Sequence, residues 1–269
     1  MDLIGSGHEE QVPKIWPAAA AHASSGAMRP GFWLPVLSLV ASLTVATTAS
    51  HAGNPFVTVP SNYDETPAAV YAGLSAADCI AELDRRAIPH LAAPALLPID
   101  APIHLAGPLH GVTFAQENRS ADEALNSDGA VVDCRLALAL DDFSLVLAER
   151  GVDRVDFISA YRRDVTGSIP AGQRHPSGLA IDLSSFHHKD GTTWSVERDF
   201  LGRIGARTCG RGAQEPASRN AAALGFRRLV CDVGASRIFN LVLTPNYDAE
   251  HHNHMHVEVR RDIRWFLVH

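Results

Sequence analysis

Two short stretches far apart in the chain must meet in space for their residue types to make chemical sense. They are His-Pro-Ser-Gly-Leu-Ala-Ile-Asp at 175–182 and His-His-Asn-His-Met-His at 251–256. In an extended strand successive side chains point to opposite faces, so His254, His256 and Glu258 share one face while Met255, Val257 and Val259 occupy the other. Leu179-Ala180-Ile181-Asp182-Leu183 reads as a buried strand that carries a single carboxylate. These constraints favour a small sheet with one face apolar and one face reactive.

A neutral imidazole nitrogen and a carboxylate oxygen are natural Zn²⁺ ligands, at about 2.0–2.2 Å. Three protein ligands with a fourth position open is the arrangement of a catalytic zinc, and His175, Asp182 and His256 are the expected three. The histidine-rich segment does not read as a purification tag, because Asn253 and Met255 interrupt it and it runs into the alternating strand.

The spacing His-x6-Asp followed far downstream by His-x-His resembles the zinc peptidases of the lysostaphin, D-Ala-D-Ala carboxypeptidase and murein endopeptidase group. The surrounding text is similar to the extensin-like C-terminal domain family of bacterial proteins. The likeness rests on His175-Pro-Ser-Gly178-Leu-Ala180-Ile-Asp182, on Lys189-Asp190-Gly191, and on Leu243-Thr-Pro245-Asn246-Tyr247 leading into His251 and His254-Met-His256. It spans roughly Cys79 to Arg260. The resemblance implies a D-Ala-D-Ala peptidase or Hedgehog-like α+β fold, a zinc cofactor and peptidoglycan peptides as substrate.

It also implies roles for further residues. Ser159-Ala-Tyr161-Arg162 is similar to a Ser-Gly-Tyr-Arg segment whose Arg engages substrate, which makes Arg162 the candidate for holding a carboxylate or carbonyl oxygen with its planar fork. The dipeptidase branch of the group places a catalytic Glu three residues before the last ligand, where this chain has Asn253, which cannot titrate. The pattern His251-x-x-His254-x-His256 looks instead like the murein endopeptidase branch. By that likeness His254 takes the main acid/base role and His251 a supporting one, since imidazole titrates near neutrality. His252 is expected to be a bystander, and His187 and His188 to be turn residues around Asp190-Gly191 rather than ligands. Gln173 stands where the family usually has Ser, which puts a contact behind the ligands in doubt.

The rest of the chain frames this site. In 269 residues there is ample chain for one core, and a net charge of −7 argues against a nucleic-acid partner. Arg29, the apolar run Phe32 to Ala46 and Ser50-His51-Ala52 read as a signal peptide, with Met28 a candidate start and cleavage before Gly53. The apolar run is shorter than the roughly 20 residues a membrane span needs. Segment 1–52 is therefore expected to direct export to the periplasm or cell envelope, 53–73 to be a flexible lead-in, and 74–269 to form the domain.

Four cysteines lie downstream of the cleavage point and suit an oxidising compartment. Their pairing is open among three possibilities, with Cys79–Cys134 and Cys209–Cys231 expected because each brackets one substructure.

Several elements are legible locally. Ser75 with Asp78 signals a helix start, and Pro89 a stop. Leu136, Leu140, Phe143 and Leu147 mark a helix over about 133–150, capped by Gly151. Residues 88–116 suggest brief strands, 116–129 a polar loop, 155–162 a strand, and 238–243 another. Between 197 and 235 the pattern is helical with a polar interruption, and Pro216 is the expected start of its second helix.

The expectation is thus an exported α+β zinc peptidase, with a small antiparallel sheet carrying the ligands and helices flanking it. It would hydrolyse an amide next to a D-amino acid in murein, as endopeptidase or carboxypeptidase. Two other readings stand beside it: a non-catalytic zinc-containing cell-wall-binding domain, and a metal buffer using many histidines weakly.

Overall fold

The computed structural model describes residues 54–169 and 173–269. The signal segment expected at 1–52 lies outside the described residues.

The elements in chain order are β1 (Val57–Thr58), α1 (Pro67–Gly73), α2 (Ala76–Arg85), β2 (His90–Ala92), β3 (Pro102–Leu105), β4 (Thr113–Gln116), α3 (Ala121–Leu125), β5 (Val132–Asp133), α4 (Cys134–Ala148), β6 (Val152–Phe157), β7 (Ala180–His188), β8 (Thr193–Ser195), α5 (Val196–Asp199), α6 (Ala221–Ser236), β9 (Leu241–Leu243), β10 (Met255–Glu258) and β11 (Phe266–Val268). The class is α+β, as expected. The main sheet is larger than expected: eight strands ordered β1-β11-β9-β10-β7-β6-β4, with β8 added beside β7. Two of its pairings, β4 with β6 and β9 with β11, are parallel. A second sheet has the order β2-β3-β5.

The core is centred on α4, whose Leu136, Leu140, Phe143 and Leu147 are wholly buried. Asp133 caps it by accepting from the Arg135 backbone N–H, and Gly151, at φ +75°, closes its C-terminal end. The α2 start is also as read: the Ser75 hydroxyl accepts from the Asp78 N–H at 3.1 Å. Both expected disulfides, Cys79–Cys134 and Cys209–Cys231, are present. The first joins α2 to α4, and the second joins the 200–220 segment to α6.

Several expectations need correction. Residues 54–73 are structured, because β1 pairs with β11 and Tyr63 and Ala68 pack on Phe266. The segment 116–129 contains α3, set by a complete capping box between Ser120 and Glu123. The helix expected from Pro216 begins at Ala221, where Asn220 caps it by accepting from the Ala223 N–H at 2.8 Å. The strand read over 155–162 ends at Phe157, so Ser159 to Arg162 form a loop. His187 and His188 are not turn residues but the last two positions of β7; His187 faces Asp156 at 2.7 Å, and His188 packs on Trp194.

Candidate metal centre

The site is built where β7 and β10 pair. Their antiparallel register sets His256 directly opposite Asp182, so both side chains emerge from one face of the sheet. Strand alternation then puts Glu258 beside His256 on that same face, as the sequence indicated. His254 stands one residue before the strand and is buried with them.

His175 arrives from a short 3₁₀ turn, His175–Ser177, ahead of β7. Two backbone features hold this turn. Gly178 has φ +64°, and its carbonyl accepts from the Asp133 N–H at 2.8 Å. A Cβ at Gly178 would lie 2.7 Å from that same nitrogen, so only glycine lets the turn seat against β5. Arg174 also adopts a left-handed φ, of +54°, which a residue with a Cβ adopts at a cost. Its N–H donates to Glu258 Oε1 at 2.9 Å, so the carboxylate behind His256 also anchors the approach to His175.

Three imidazoles converge on one carboxylate oxygen. Asp182 Oδ1 lies 3.1 Å from His175 Nε2, 2.9 Å from His256 Nδ1 and 3.4 Å from His254 Nε2. Among the described residues, His175, Asp182 and His256 bring their ligand atoms within 4.8 Å of one another. A tetrahedral centre with bonds of about 2.0–2.1 Å has neighbouring donors roughly 3.3 Å apart, close to these separations. The remaining oxygen, Asp182 Oδ2, is buried and makes no hydrogen bond. Arg162 Nη2 approaches it to 3.0 Å as an ion pair without hydrogen-bond alignment.

The two imidazoles of the trio are each oriented from behind. His175 Nδ1 donates to the Ala160 carbonyl at 2.7 Å, leaving Nε2 to face Asp182. His256 Nε2 donates to Glu258 Oε2 at 3.2 Å, leaving Nδ1 for the centre. This backing by a carbonyl or carboxylate fixes the ring and raises its basicity, as is usual behind metal-bound histidine. The donor set and its backing fit a zinc ion.

The electrostatics of the bare site follow from burial and charge. Burial works against the charged form of Asp182, but His175 and His256 outweigh it and hold the carboxyl well below the usual carboxylate range. Burial also opposes a charge on His256, yet Asp182 and Glu258 together push it up to about 9. His175 is lowered, chiefly by burial. Burial likewise lowers His254, to about 4, so its ring is neutral near pH 7.

The other candidate residues fall around this core. His254 Nδ1 faces Asn253 Oδ1 at 2.9 Å, an arrangement that presents Nε2 to the centre. Asn253, which has no titrating role, therefore orients the neighbouring imidazole. His251 lies behind His254 with ring centroids 5.0 Å apart, and Asp248 Oδ1 holds its Nδ1 at 2.7 Å. His252 is exposed and its Nδ1 bonds the Ala249 carbonyl at 2.9 Å. Gln173 reaches Asp262 at 2.8 Å rather than any member of the cluster. Glu258, Asp248 and the Ala160 carbonyl received no role from the sequence. The signal for Glu258 was its same-face position two residues past His256; the Ala160 carbonyl had none, because it comes from a loop.

A protein-family model described as Extensin-like protein C-terminus matches residues 112–267, an interval that contains every residue of the cluster. No curated protein and no solved structure matches the chain.

Proposed function

The chain belongs to the extensin-like protein C-terminal family, and from that premise and the geometry of the cluster we propose an exported zinc-dependent peptidoglycan peptidase. Its reaction is hydrolysis of an amide bond next to a D-amino acid in murein peptides or cross-links, as a D,D-endopeptidase or carboxypeptidase. The observation that carries this reading is the convergence of His175, Asp182 and His256, with both imidazoles backed and the His254 ring beside them.

Bound zinc supplies a Lewis acid that polarises a carbonyl and makes water more acidic. His175, Asp182 and His256 hold it. His254, neutral and aimed by Asn253, accepts the proton of the attacking water and returns it to the leaving amine. His251, anchored by Asp248, stands next in line to share that proton or to stabilise negative charge when protonated. The Arg162 side chain, half exposed and resting on Asp182, holds a substrate carboxylate or carbonyl oxygen. Two disulfides suit the oxidising periplasm or cell exterior where murein is found. Among the described residues no helix is long and apolar enough to cross a membrane.

The test measures zinc content and muropeptide release together, for the unmutated protein, His256→Ala and His254→Ala. The expected result is one zinc per chain, lost in His256→Ala and kept in His254→Ala, with cleavage lost in both. One zinc without cleavage of any murein fragment would identify a non-catalytic zinc-containing cell-wall-binding domain. Several weakly held ions would identify a metal buffer.

A further inference from the structure

The face of the main sheet that carries the cluster continues toward the end of β4. Leu183 follows Asp182 on β7 and so turns to the opposite, apolar face. Phe157 of β6 pairs with Leu183, and Gln116 of β4 pairs with Phe157, so these three share that apolar face. Glu117, one residue past Gln116, is thereby turned to the face of Asp182, and its N–H donates to the Phe157 carbonyl at 2.9 Å.

Ser184 ties this residue to the site. Asp156 pairs with Ser185 and Phe157 with Leu183, which leaves Ser184 as the extra residue of a β-bulge. A bulge re-aims a side chain, and bulges gather beside functional sites. The buried Ser184 hydroxyl meets Glu117 Oε1 and, at 3.1 Å, the Asp156 carbonyl. From Asp182 to Ser184 is two positions, about 7 Å of strand.

The neighbouring acids have basic partners: Glu258 has His256, Asp248 has His251, and Asp156 has Arg154 and His187. Glu117 differs. It is part exposed, and among the described residues no Lys, Arg or His pairs with it. With Oε1 engaged by Ser184, one oxygen is left facing outward. A guanidinium fork needs both oxygens of a carboxylate, whereas a primary ammonium, a point charge with three donors, needs one.

We propose that Glu117 sets the specificity of this site by binding a free primary ammonium of the substrate, such as a diamino-acid side chain. This inference rests on the peptidase reading above. The 7 Å offset places that side chain about two residues of extended peptide from the scissile amide. Ser184 is the positioning residue that holds the carboxylate there.

The test uses two murein-type peptides that differ by one ammonium, with lysine or norleucine two residues from the scissile amide. Zinc-loaded unmutated protein should prefer the lysine peptide about tenfold in kcat/KM, the worth of one charge-assisted hydrogen bond. The preference should lie in KM, because a contact remote from the reacting atoms binds ground and transition states alike. Glu117→Gln keeps the shape and removes the charge, and should narrow the ratio to about twofold or less. Ser184→Ala, which frees the carboxylate, should narrow it partway and serves alone should Glu117→Gln not fold. Unchanged zinc content and melting establish that each variant is folded. No preference in the unmutated protein, or a ratio that survives Glu117→Gln, would overturn the proposal. If neither peptide is cleaved, the peptidase reading fails, and calorimetric binding of the two peptides decides this inference by itself. A lysine preference lost in Glu117→Gln would then support it, and equal binding or none would overturn it.

Discussion

At the scale of single residues, the cluster owes its order to groups that touch no substrate. Glu258 is 1 % exposed and makes three connections: Oε2 to the His256 ring, Oε1 to the Arg174 N–H, and an ion pair from Oε1 to Arg260 Nε at 3.6 Å. One carboxylate thereby orients two of the three ligand positions, one through a side chain and one through the strained backbone ahead of His175. Glu258→Gln keeps the shape and removes the charge, and it should weaken zinc affinity about 10–100-fold. Competition against a chromophoric chelator would measure this; affinity within twofold of the unmutated protein would show that Glu258 serves packing alone. Asn253 teaches a related point. It does not match the dipeptidase pattern, and its amide oxygen instead faces the neighbouring His254 ring.

At the scale of elements, the site depends on how the turn before β7 is seated. The turn leans on the start of α4 through Gly178 and Asp133, and α4 is tied to α2 by Cys79–Cys134. Asp133 is itself locked by the buried Arg135 guanidinium at 2.8 Å, which also donates to the Leu74 carbonyl. The two disulfides close segments of different length, 55 and 22 residues apart in sequence. Loop-closure entropy alone makes the longer one worth about 4 kcal/mol and the shorter about 3 kcal/mol. Paired Cys→Ala replacement should therefore destabilise more at 79 and 134 than at 209 and 231, as read by denaturant unfolding. The reverse order would mean that native-state packing, and not chain entropy, dominates their effect.

At the scale of the whole molecule, a metal bound at the proposed centre would compete with a proton for one buried site. The family match runs over 112–267, so Cys79–Cys134 fastens the preceding α2 to the part that carries the centre. Without metal, His256 is raised from its usual value near 6.5 to about 9 by its two carboxylates. The folded chain then binds more protons than the unfolded chain between those values, so stability falls as pH rises through that window. That contribution is fully present below about 6.5 and gone above about 9. Metal binding releases the proton and removes this dependence. Thermal melts of chelated protein should lose stability from about pH 6.5 to 9, and one equivalent of zinc should both raise the midpoint and flatten the profile. Identical profiles with and without zinc would sink the assignment of His256 as a ligand.

How much of this was legible from the chain alone depends on the range of the interaction concerned. Helix caps, the α4 stripe, the alternation through His254 and Glu258, and the choice of donor residues rest on neighbours in sequence, and local geometry was enough to read them. The short helix α3 was also written locally, in Ser120 and Glu123, but its polar surroundings concealed it. Register is different. Asp182 and His256 are 74 residues apart, and only the pairing of β7 with β10 decides that they stand opposite each other. The same holds for the Ala160 carbonyl behind His175 and the desolvation that keeps His254 neutral. Each depends on burial and on contacts between distant segments, so the sequence by itself determined the candidate donor groups and their local faces, while the tertiary structure decided which nitrogen faces the centre and what stands behind it.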